Sequence, residues 1–434
     1  MSGREREASA GGQATSLFAP RMLDSVSGRM LSNVLVIISG DRIASVTENL
    51  PVPPKEGHPA LVAAGASAPV VLPSSWTVLP GLIDGHTHLL MEPEDAVTTP
   101  LLHKSQAYRT VEAVAAVRRT LEAGFTAVRD VDSEGAGYAD VAVRDAINRG
   151  VIPGPRMFVA TNALTISGGY MNLLGYSPDL SLPNYGVMVD SPAAMIQAVR
   201  QNVKYGADLI KIYVTGSLPH VFEGFEPLVQ MSEDEVKLVV DEAARWHRDV
   251  AAHAYGGKAV RNAILGGVRS IEHGILLDHS NVDLLVKHGV YFCPTLHVYS
   301  AEPGLERHGI EFMHQIRARH KQSFQMALQA GVKVVFGTDV GGYDHGQNAK
   351  EFIEMVGFGM SPVEAIRSAT VRAAEMLRKE KDLGQVTSGR FADIIAVDGN
   401  PIEDIEAMLR VRFVMKGGSI FKHQQGVLRG GEIS

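Results

Sequence analysis

After residue 80 the chain alternates between short apolar runs and longer amphipathic stretches. The amphipathic stretches carry apolar residues at spacings of three and four, which is the periodicity of a helix with one buried face. About eight strand–helix repeats of this kind predict a (β/α)8 TIM barrel with a buried parallel sheet, the alternative being a doubly wound sheet. The predicted barrel strands are residues 81–88, 127–131, 156–161, 208–214, 250–253, 268–273, 290–296 and 332–337.

Both ends of the chain are predicted to form short strands, separated by loops rich in Pro, Gly and Ala. We therefore predict an α/β protein whose barrel domain spans residues 80–385. A small composite β-sandwich domain would be formed from both chain ends, residues 1–79 and 386–434. About the first fifteen residues are predicted to be disordered. The predicted end strands are residues 29–38, 42–46, 75–79, 393–397, 412–416 and 419–421.

Composition narrows the functional classes. The hydrophobic fraction of 45% and charged fraction of 21% are ordinary for a soluble globular protein. The net charge of -7 comes without a dense Lys/Arg block, which argues against nucleic acid as a partner. The N-terminus is polar and no long apolar run occurs, so we expect no membrane partner and a cytoplasmic location. Because Cys293 is the only cysteine, an intrachain disulfide and a cysteine-based metal site are excluded.

A His-x-His motif ends the first predicted barrel strand. His86 and His88 lie two residues apart, so on a strand both side chains leave the same face. Two imidazoles that face into a barrel are a metal-ligand arrangement. The motif alone is weak evidence, because surface histidines and core histidines with structural roles have the same spacing.

Lys211 lies in the apolar strand predicted at residues 208–214. A buried ammonium is costly unless it is neutralised or modified. A lysine that extends its amine from the strand end, or a buried Lys–carboxylate pair, would be a structural explanation. Alternatively, a deprotonated lysine can react with CO₂, and its carbamate is then an anionic bridge between two cations.

Three further candidates end later strands. His253 and His273 each end a short apolar run, where a structural histidine is an equally good explanation. Asp339 follows the eighth run, where helix capping or a turn is the commoner role of an aspartate. With the His-x-His pair and Lys211, however, all of these residues lie at the strand ends that carry the active site of a barrel. Independent structural explanations for the whole set would be a large coincidence, so the set predicts a metal site.

In these residues the chain resembles the amidohydrolase superfamily, and within it the binuclear branch that has a carboxylated lysine. It looks most like the prolidase-like and ochratoxinase-like amidohydrolases, which are related to imidazolonepropionase. The resemblance covers about residues 80–421 and includes Gly-Arg-Phe-Ala-Asp at 389–393. The closer match is carried by Gly-Ala-Asp-Leu-Ile-Lys-Ile-Tyr at 206–213, Ala-His-Ala-Tyr-Gly at 252–256, Arg-Ser-Ile-Glu-His-Gly at 269–274 and Phe-Gly-Thr-Asp at 336–339.

The resemblance implies a role for each candidate. The His-x-His pair and Asp339 would hold the more buried of two divalent metal ions, and His253 and His273 the more exposed one. Carboxylated Lys211 and a hydroxide would bridge the two ions. Asp339 would act as general base toward the nucleophile and then as general acid toward the leaving amine. Zinc is the expected metal, since it accepts nitrogen and oxygen ligands at low coordination number.

The expected function is hydrolysis of an amide bond next to an amino acid, by a dipeptidase (prolidase-like) or an N-acyl-amino-acid amidase, ochratoxin-type amides included. The same metals would also serve a lactonase or a carbamate or organophosphate hydrolase. A non-catalytic barrel scaffold is a third class, which the complete ligand set disfavours. We expect a small-molecule substrate and a homo-oligomer.

Three residues are predicted to contact the substrate. Tyr213 lies two residues after Lys211 and therefore faces the same side, so we predict that it reaches a substrate oxygen and, with Lys211 and Asp339, is a catalytic residue. Tyr170 follows a Ser-Gly-Gly sequence, at a position where relatives often have histidine, and His297 lies just past the seventh strand. The loops at 162–185 and 297–305 mix Leu, Met, Tyr and Pro with few charges, which predicts a largely apolar pocket. Weaker candidates are Asn172, Tyr255 and His345.

Two other residues are predicted to be structural. Glu272 precedes His273, so by strand alternation it should face away from the site. His320 lies in the helix predicted at residues 312–329 and is expected on the surface.

Overall fold

The computed structural model describes residues 14–96, 99–170, 172–173, 175–216, 227–300 and 309–424. The chain divides into two compact units, one formed by residues 1–81 and 379–434 and the other by residues 82–378. The disorder predicted near the N-terminus concerns residues 1–13, which lie outside the described residues, and residues 14 and 15, the second of which begins a strand. Among the helices that the structure describes, none combines the length and apolarity that a membrane span requires.

Strands and helices alternate most regularly in the second unit. The strands are β1 (Thr15–Leu23), β2 (Met30–Ser39), β3 (Arg42–Thr47), β4 (Val70–Val71), β5 (Trp76–Pro80), β6 (Leu82–Thr87), β7 (Phe125–Asp130), β8 (Arg156–Val159), β9 (Leu164–Thr165), β10 (Val187–Met188), β11 (Ile210–Tyr213), β12 (Val250–Gly256), β13 (Ser270–Leu276), β14 (Tyr291–Cys293), β15 (Ile394–Asp398), β16 (Val411–Lys416) and β17 (Ser419–His423). The helices are α1 (Pro59–Ala64), α2 (Pro100–His103), α3 (Gln106–Glu122), α4 (Ala139–Asn148), α5 (Pro192–Lys204), α6 (Glu233–Ala244), α7 (Gly257–Leu265), α8 (His279–His288), α9 (Ile310–Gln329), α10 (Lys350–Gly357), α11 (Pro362–Ser368) and α12 (Val371–Met376).

In the first unit, strands from both chain ends form one eight-stranded sheet. Its order is β17-β16-β15-β5-β1-β2-β3, with β4 paired beside β1. One face buries an apolar cluster that includes Leu17, Trp76 and Phe413. On the other face, Ile37 packs with Leu61 of α1. The strand pattern of the two ends is therefore present, while the sandwich arrangement and the exact domain bounds stay predictions.

Strand β1 is absent from the strands predicted by sequence, because Pro20 interrupts its apolar run. Proline has no backbone N–H and is therefore disfavoured within a sheet. The residues on either side nevertheless pair with β2, Ala19 with Val34 and Arg21 with Ser32. The hydrophobic face of β1 outweighs the one missing donor.

The second unit contains two parallel sheets. One has the order β6-β7-β8 and the other the order β10-β9-β11-β12-β13-β14. Most of their residues are buried, as expected for strands covered on both faces. Seven of the eight predicted barrel strands overlap strands of these two sheets. The result is a mixed α/β fold in which His86, Lys211, His253 and His273 lie on parallel strands.

The predicted eighth strand, residues 332–337, is not a regular strand. Phe292 in β14 donates a backbone hydrogen bond to Lys333 (3.0 Å), and Gly85 in β6 donates one to Phe336 (2.9 Å). Bridges to these two strands occur only at single positions, Phe292 with Val334 and Thr87 with Val340. The segment thus lies between β14 and β6 without a continuous ladder, and closure of the barrel stays a prediction.

Close packing around Gly337 allows a test of this segment. A Cβ atom at this position would lie 2.2 Å from Cys293 Sγ and 2.9 Å from His86 Cβ. We expect Gly337→Ala to destabilise the protein by about 1–3 kcal/mol, the usual cost of overpacking. Gly357→Ala is the control, since its Cβ would meet nothing within 4 Å. Thermal unfolding should show a lower midpoint only for Gly337→Ala, and equal midpoints would contradict such close packing.

Candidate metal centre

Two histidines and an aspartate meet where β6 ends. His86 Nε2 lies 3.4 Å and His88 Nε2 lies 3.1 Å from Asp339 Oδ1. The three side chains offer ligand atoms that all lie within 4.8 Å of one another. Asp339 comes close because its backbone N–H bonds to the carbonyl of His86 at 2.8 Å. The arrangement could hold a metal ion.

His253 in β12 and His273 in β13 extend this cluster. Their ring centroids lie 4.7 Å apart, and the ring of His273 is 4.9 Å from that of His86. The two predicted metals were expected to differ in exposure. The exposed fraction does not separate their ligands, however, because His88 is 5% and His273 4% exposed.

Each of the four imidazoles has a partner for one ring nitrogen. The Nε2 atoms of His86 and His253 are buried atoms without a hydrogen-bond partner among the described residues, and Nε2 of His88 faces Asp339 Oδ1 at 3.1 Å. An imidazole fixed through Nδ1 with a free Nε2 is the usual state of a metal-binding histidine. The residues therefore fit the metal ions implied by the motif. The partners are Glu272 Oε2 for His86 (2.8 Å), the carbonyl of Asp132 (3.4 Å) together with Glu134 Oε1 (3.2 Å) for His88, Thr295 Oγ1 for His273 (2.8 Å) and the backbone of Gly216 for His253.

The electrostatics of the cluster favour cation binding. Burial lowers the pKa of His253 and of His273 well below the ordinary value, so both are neutral, which is the ligand form. Burial also lowers the pKa of His88, but Glu134 and Asp339 outweigh it and raise it to about 10. Surroundings that favour a proton on this ring also favour a metal ion in its place. Burial raises the pKa of Asp339, but His86 and His88 more than offset this and hold it well below the usual range.

Lys211 lies in β11 and is 1% exposed. Burial lowers the pKa of its amine, although Glu272 and Asp339 act in the opposite direction. Its Nζ lies 5.4 Å from the ring centroid of Tyr213. A lowered pKa increases the neutral fraction of the amine, which is the form that reacts with CO₂.

Glu272 was predicted to face away from the site, and this prediction is wrong. Its carboxylate accepts from His86 Nδ1 and from Arg129 Nη2, both at 2.8 Å. The physical reason is the backbone of His273, whose φ of 73° breaks the period-two alternation of the strand. Two charged residues inside apolar strands, Arg129 and Glu272, were the sequence signal for this pair.

Part of the left-handed backbone lies in the cluster. Four of the nine described non-glycine residues with positive φ are in it or beside it, and this conformation costs of order 1–3 kcal/mol each. Two of them are candidate ligands and the other two hold ligands, so the strain coincides with the positioning of the imidazoles. They are Glu134 (52°), His273 (73°), Thr295 (51°) and Asp339 (60°).

Two of the predicted substrate residues lie beside His253. The ring centroid of Tyr170 is 4.9 Å and that of Tyr213 is 5.0 Å from the imidazole. The hydroxyl of Tyr213 donates to Asp132 Oδ2 at 3.0 Å. Tyr255, a weaker candidate, adds a third ring at 4.6 Å. The rings of these three tyrosines therefore pack around His253, next to the other histidines of the cluster.

His297, the third predicted substrate residue, is placed differently. Its Nδ1 lies 3.5 Å from Glu354 Oε1, and its ring packs edge-on against Tyr343 at 4.8 Å. The structure instead brings Tyr299, two residues later, to a ring distance of 6.2 Å from His273. Sequence reasoning missed Tyr299, since a 3-10 turn at 297–299 changes which side chain faces the cluster.

The weaker loop candidates bond to nearby backbone. Asn172 Nδ2 donates to the carbonyls of Ile166 and Gly169 within its own loop. His345 Nε2 lies 2.8 Å from the carbonyl of Met91. These hydrogen bonds do not connect either residue to the histidine cluster. Residues 301–305 of the predicted substrate loop lie outside the described part of the chain.

The chain is similar to known proteins over most of its length. The model of the amidohydrolase family matches residues 77–421. Ochratoxinase of Aspergillus niger is 29% identical over 422 residues, covering 91% of this chain and 84% of that protein. The crystal structure of a Xaa-Pro dipeptidase with methionine in its active site matches with a TM-score of 0.84 and 33% identity, over 94% of this chain and all of that one. A prolidase complexed with N-methylphosphonate-L-proline matches with a TM-score of 0.78 and 31% identity, over 95% of this chain and 100% of the other.

Proposed function

Because the chain belongs to the amidohydrolase family, we propose that it is a two-metal hydrolase that cleaves the amide bond of a dipeptide or an N-acyl amino acid. One observation carries the proposal: four buried imidazoles cluster beside Asp339, and the Nε2 atoms of His86 and His253 have no hydrogen-bond partner among the described residues. The names of the relatives, a Xaa-Pro dipeptidase and an ochratoxinase, support the amide class. Assembly into a homo-oligomer and a cytoplasmic location stay predictions.

The proposed ligand sets follow the distances. His86, His88 and Asp339 would hold one divalent ion, and His253 and His273 the other. Carboxylated Lys211 would contact both ions, and its lowered pKa supports this modification. Zinc suits the nitrogen and oxygen donors on offer. When bound, two such cations polarise a carbonyl and lower the pKa of a water molecule.

The chain's own residues would bind substrate and move protons. Asp339 is the candidate proton carrier because its side chain is 20% exposed, which leaves the carboxylate accessible to a bound substrate. It would accept a proton from the nucleophile and deliver it to the nitrogen of the leaving amine. Tyr170, Tyr213 and Tyr255 would contact an apolar or aromatic acyl group, since their rings surround His253.

The protein is expected to hold two metal ions per chain. The ligand set is too large for one tetrahedral ion, since four histidines, an aspartate and a carboxylated lysine exceed four donors. Elemental analysis of protein prepared without chelators, together with activity, would measure this. Full activity at one ion per chain would contradict the two-metal proposal.

The substrate class can be tested with matched pairs. We expect an N-acyl-phenylalanine or an X-Pro dipeptide to be hydrolysed with kcat/KM about tenfold or more above that of its C-terminal amide. The reason is that a charged hydrogen bond to the free carboxylate contributes about 1.5–3 kcal/mol. Equal kcat/KM values would exclude a dipeptidase-like enzyme and favour a general amidase or a lactonase, which a panel of lactones would then distinguish.

A further inference from the structure

We propose that Glu351 is a positioning residue: its buried carboxylate holds the backbone turn at residues 295–299 and so places the ring of Tyr299 against the acyl group of the substrate. The inference rests on the proposed function, because it concerns how the same site would select the acyl group. It adds a specificity-determining residue, Tyr299, and the group that orients it.

The carboxylate of Glu351 is bound by two consecutive backbone N–H groups. Glu351 lies in helix α10 and is fully buried. Its Oε1 accepts from the N–H of Leu296 at 2.8 Å, and its Oε2 accepts from the N–H of His297 at 2.7 Å. Hydrogen bonds to a charged acceptor are stronger than those to a neutral one. The contact therefore fixes a stretch of backbone that is 54 residues away along the chain.

The shape of this backbone explains why an anion binds to it. Thr295 has a positive φ of 51°, whereas Leu296 has right-handed angles, with φ of -71° and ψ of -41°. Adjacent residues of opposite hand point successive N–H groups into one concavity, which is suited to an anion. A positive φ is unfavourable for a β-branched residue such as threonine. The two hydrogen bonds to Glu351 thus stabilise a conformation that the sequence alone would not adopt.

The turn that follows determines the direction of Tyr299. Residues 297–299 form a 3-10 turn, and the N–H of its first residue is one of the two that bind Glu351. The residue after the turn is held by the same helix, because Glu354 Oε1 accepts from Ser300 Oγ at 3.0 Å. With both ends of the turn bonded to helix α10, the ring of Tyr299 lies 6.2 Å from that of His273.

Tyr299 lies beside the tyrosines that are proposed to contact the acyl group. Its hydroxyl forms hydrogen bonds with the side chains of Thr295 and Tyr255. Burial raises the pKa of this hydroxyl well above the usual range, and the nearby Asp339 and Tyr170 act in the same direction. The ring is therefore close to the proposed proton carrier and to two of the acyl-contacting tyrosines. It would contact the same acyl group.

Hydrogen exchange tests the contact of Glu351 without any turnover. Glu351→Gln keeps the size of the side chain, but its amide nitrogen cannot accept, so one of the two N–H groups loses its acceptor. We expect exchange in a peptide covering residues 294–300 to be at least about tenfold faster than in wild type. Glu233→Gln, at an exposed glutamate of helix α6, is the matched control and should leave this exchange unchanged. Equal exchange in Glu351→Gln and wild type would overturn the inference.

Kinetics test whether the contact selects the acyl group. The readout is the ratio of kcat/KM for an N-phenylacetyl amino acid to that for the N-acetyl derivative, because a disturbed metal centre would lower both values equally. We expect Glu351→Gln and Tyr299→Leu each to lower this ratio by about three- to tenfold, the usual value of an aromatic contact. The change should lie in KM. The assay is run at pH 8, since burial raises the pKa of Glu351 even though its two N–H partners lower it.

The double variant separates positioning from a general loss of structure. If Glu351 acts by placing Tyr299, Glu351→Gln combined with Tyr299→Leu should have the same ratio as Tyr299→Leu alone, because the ring to be placed is already missing. Losses that multiply, or a Glu351→Gln variant that loses kcat/KM equally on both substrates, would overturn the inference. Glu351→Asp keeps the charge on a shorter side chain and should change both readouts in the same direction but less, which keeps the test decisive if Glu351→Gln does not fold.

Failure of the inference and failure of the proposed function give different results. Wild type that hydrolyses both substrates, with an unaltered ratio in every variant, would overturn the inference alone. Wild type that hydrolyses neither substrate would overturn the proposed function, and the role of Tyr299 with it. Thermal unfolding and zinc content, measured on the same samples, confirm that each variant is folded and loaded.

Discussion

Replacing Lys211 with alanine is expected to lower amide hydrolysis by more than about 10³-fold. Loss of a group that merely supports a metal ligand costs about 10–100-fold, and Lys211 is proposed to contact both ions itself. Its side chain is 1% exposed on β11, and its amine pKa is lowered by burial. Turnover of an N-acyl amino acid and zinc content should be measured together, since both are expected to fall.

Short carboxylic acids should restore part of the activity of Lys211→Ala. A small carboxylate can occupy the space of the missing carbamate and supply the same two oxygens. The matched control is Lys237→Ala, because Lys237 is an exposed lysine whose amine pairs with Asp241 on helix α6. The control should have wild-type turnover and no response to added acid. Near-normal turnover of Lys211→Ala would show that no carbamate is needed.

The metal-ligand candidates were predictable because they combine residue type with position. His86 is the last residue but one of β6, whereas His253 and His273 lie in the middle of β12 and β13, each of which continues for three residues beyond its histidine. Periodicity therefore identified the strands but placed the ends of these two strands too early. What the sequence could not supply is the orientation of each ring, since that depends on partners distant along the chain. Thr295, for example, is 22 residues from the histidine it fixes.

In helix α9, the spacing of apolar residues indicates which face is buried, and the prediction for His320 did not follow that spacing. His320 was expected on the surface, and this is wrong: it is 1% exposed. It lies four residues after Ile316 and four before Phe324, both of which are buried on the same helix face. Because helical spacing alone places His320 on the buried face, residue polarity was the misleading cue.

Irregular segments account for most of the remaining differences. The apolar spacing over residues 362–378 predicts one helix, but these residues contain two, α11 and α12, separated by Ala369 and Thr370. Ala369 accepts a backbone hydrogen bond from Ile83 at 2.8 Å, a contact 286 residues away along the chain (369 minus 83). In helix α10, the carboxylate of Glu351 accepts from the backbone N–H groups of Leu296 and His297, which are more than fifty residues away along the chain. Such long-range contacts override the local pattern and cannot be inferred from it.

Replacing Asp339 with asparagine is expected to reduce amide turnover by a factor of roughly 10²–10⁴, the range for loss of an acid–base group. Asparagine keeps the shape and one oxygen for the metal, so zinc content should stay near wild type. It cannot carry a proton to the leaving nitrogen. Activated esters need no such proton, because their leaving groups depart as anions, and their turnover should fall much less.

The comparison of the two substrate classes separates proton transfer from metal binding. Asp344→Asn is the matched control, since Asp344 is an exposed aspartate five residues further along (344 minus 339) whose carboxylate accepts from the side chain of Gln347. It should hydrolyse amides and esters as wild type does. For Asp339→Asn, kcat should be measured on an amide and on an activated ester of the same acyl group, with zinc determined on the same sample. Equal losses on both substrates with zinc retained would assign the proton transfer to another residue. Equal losses with zinc missing would make Asp339 a metal ligand alone.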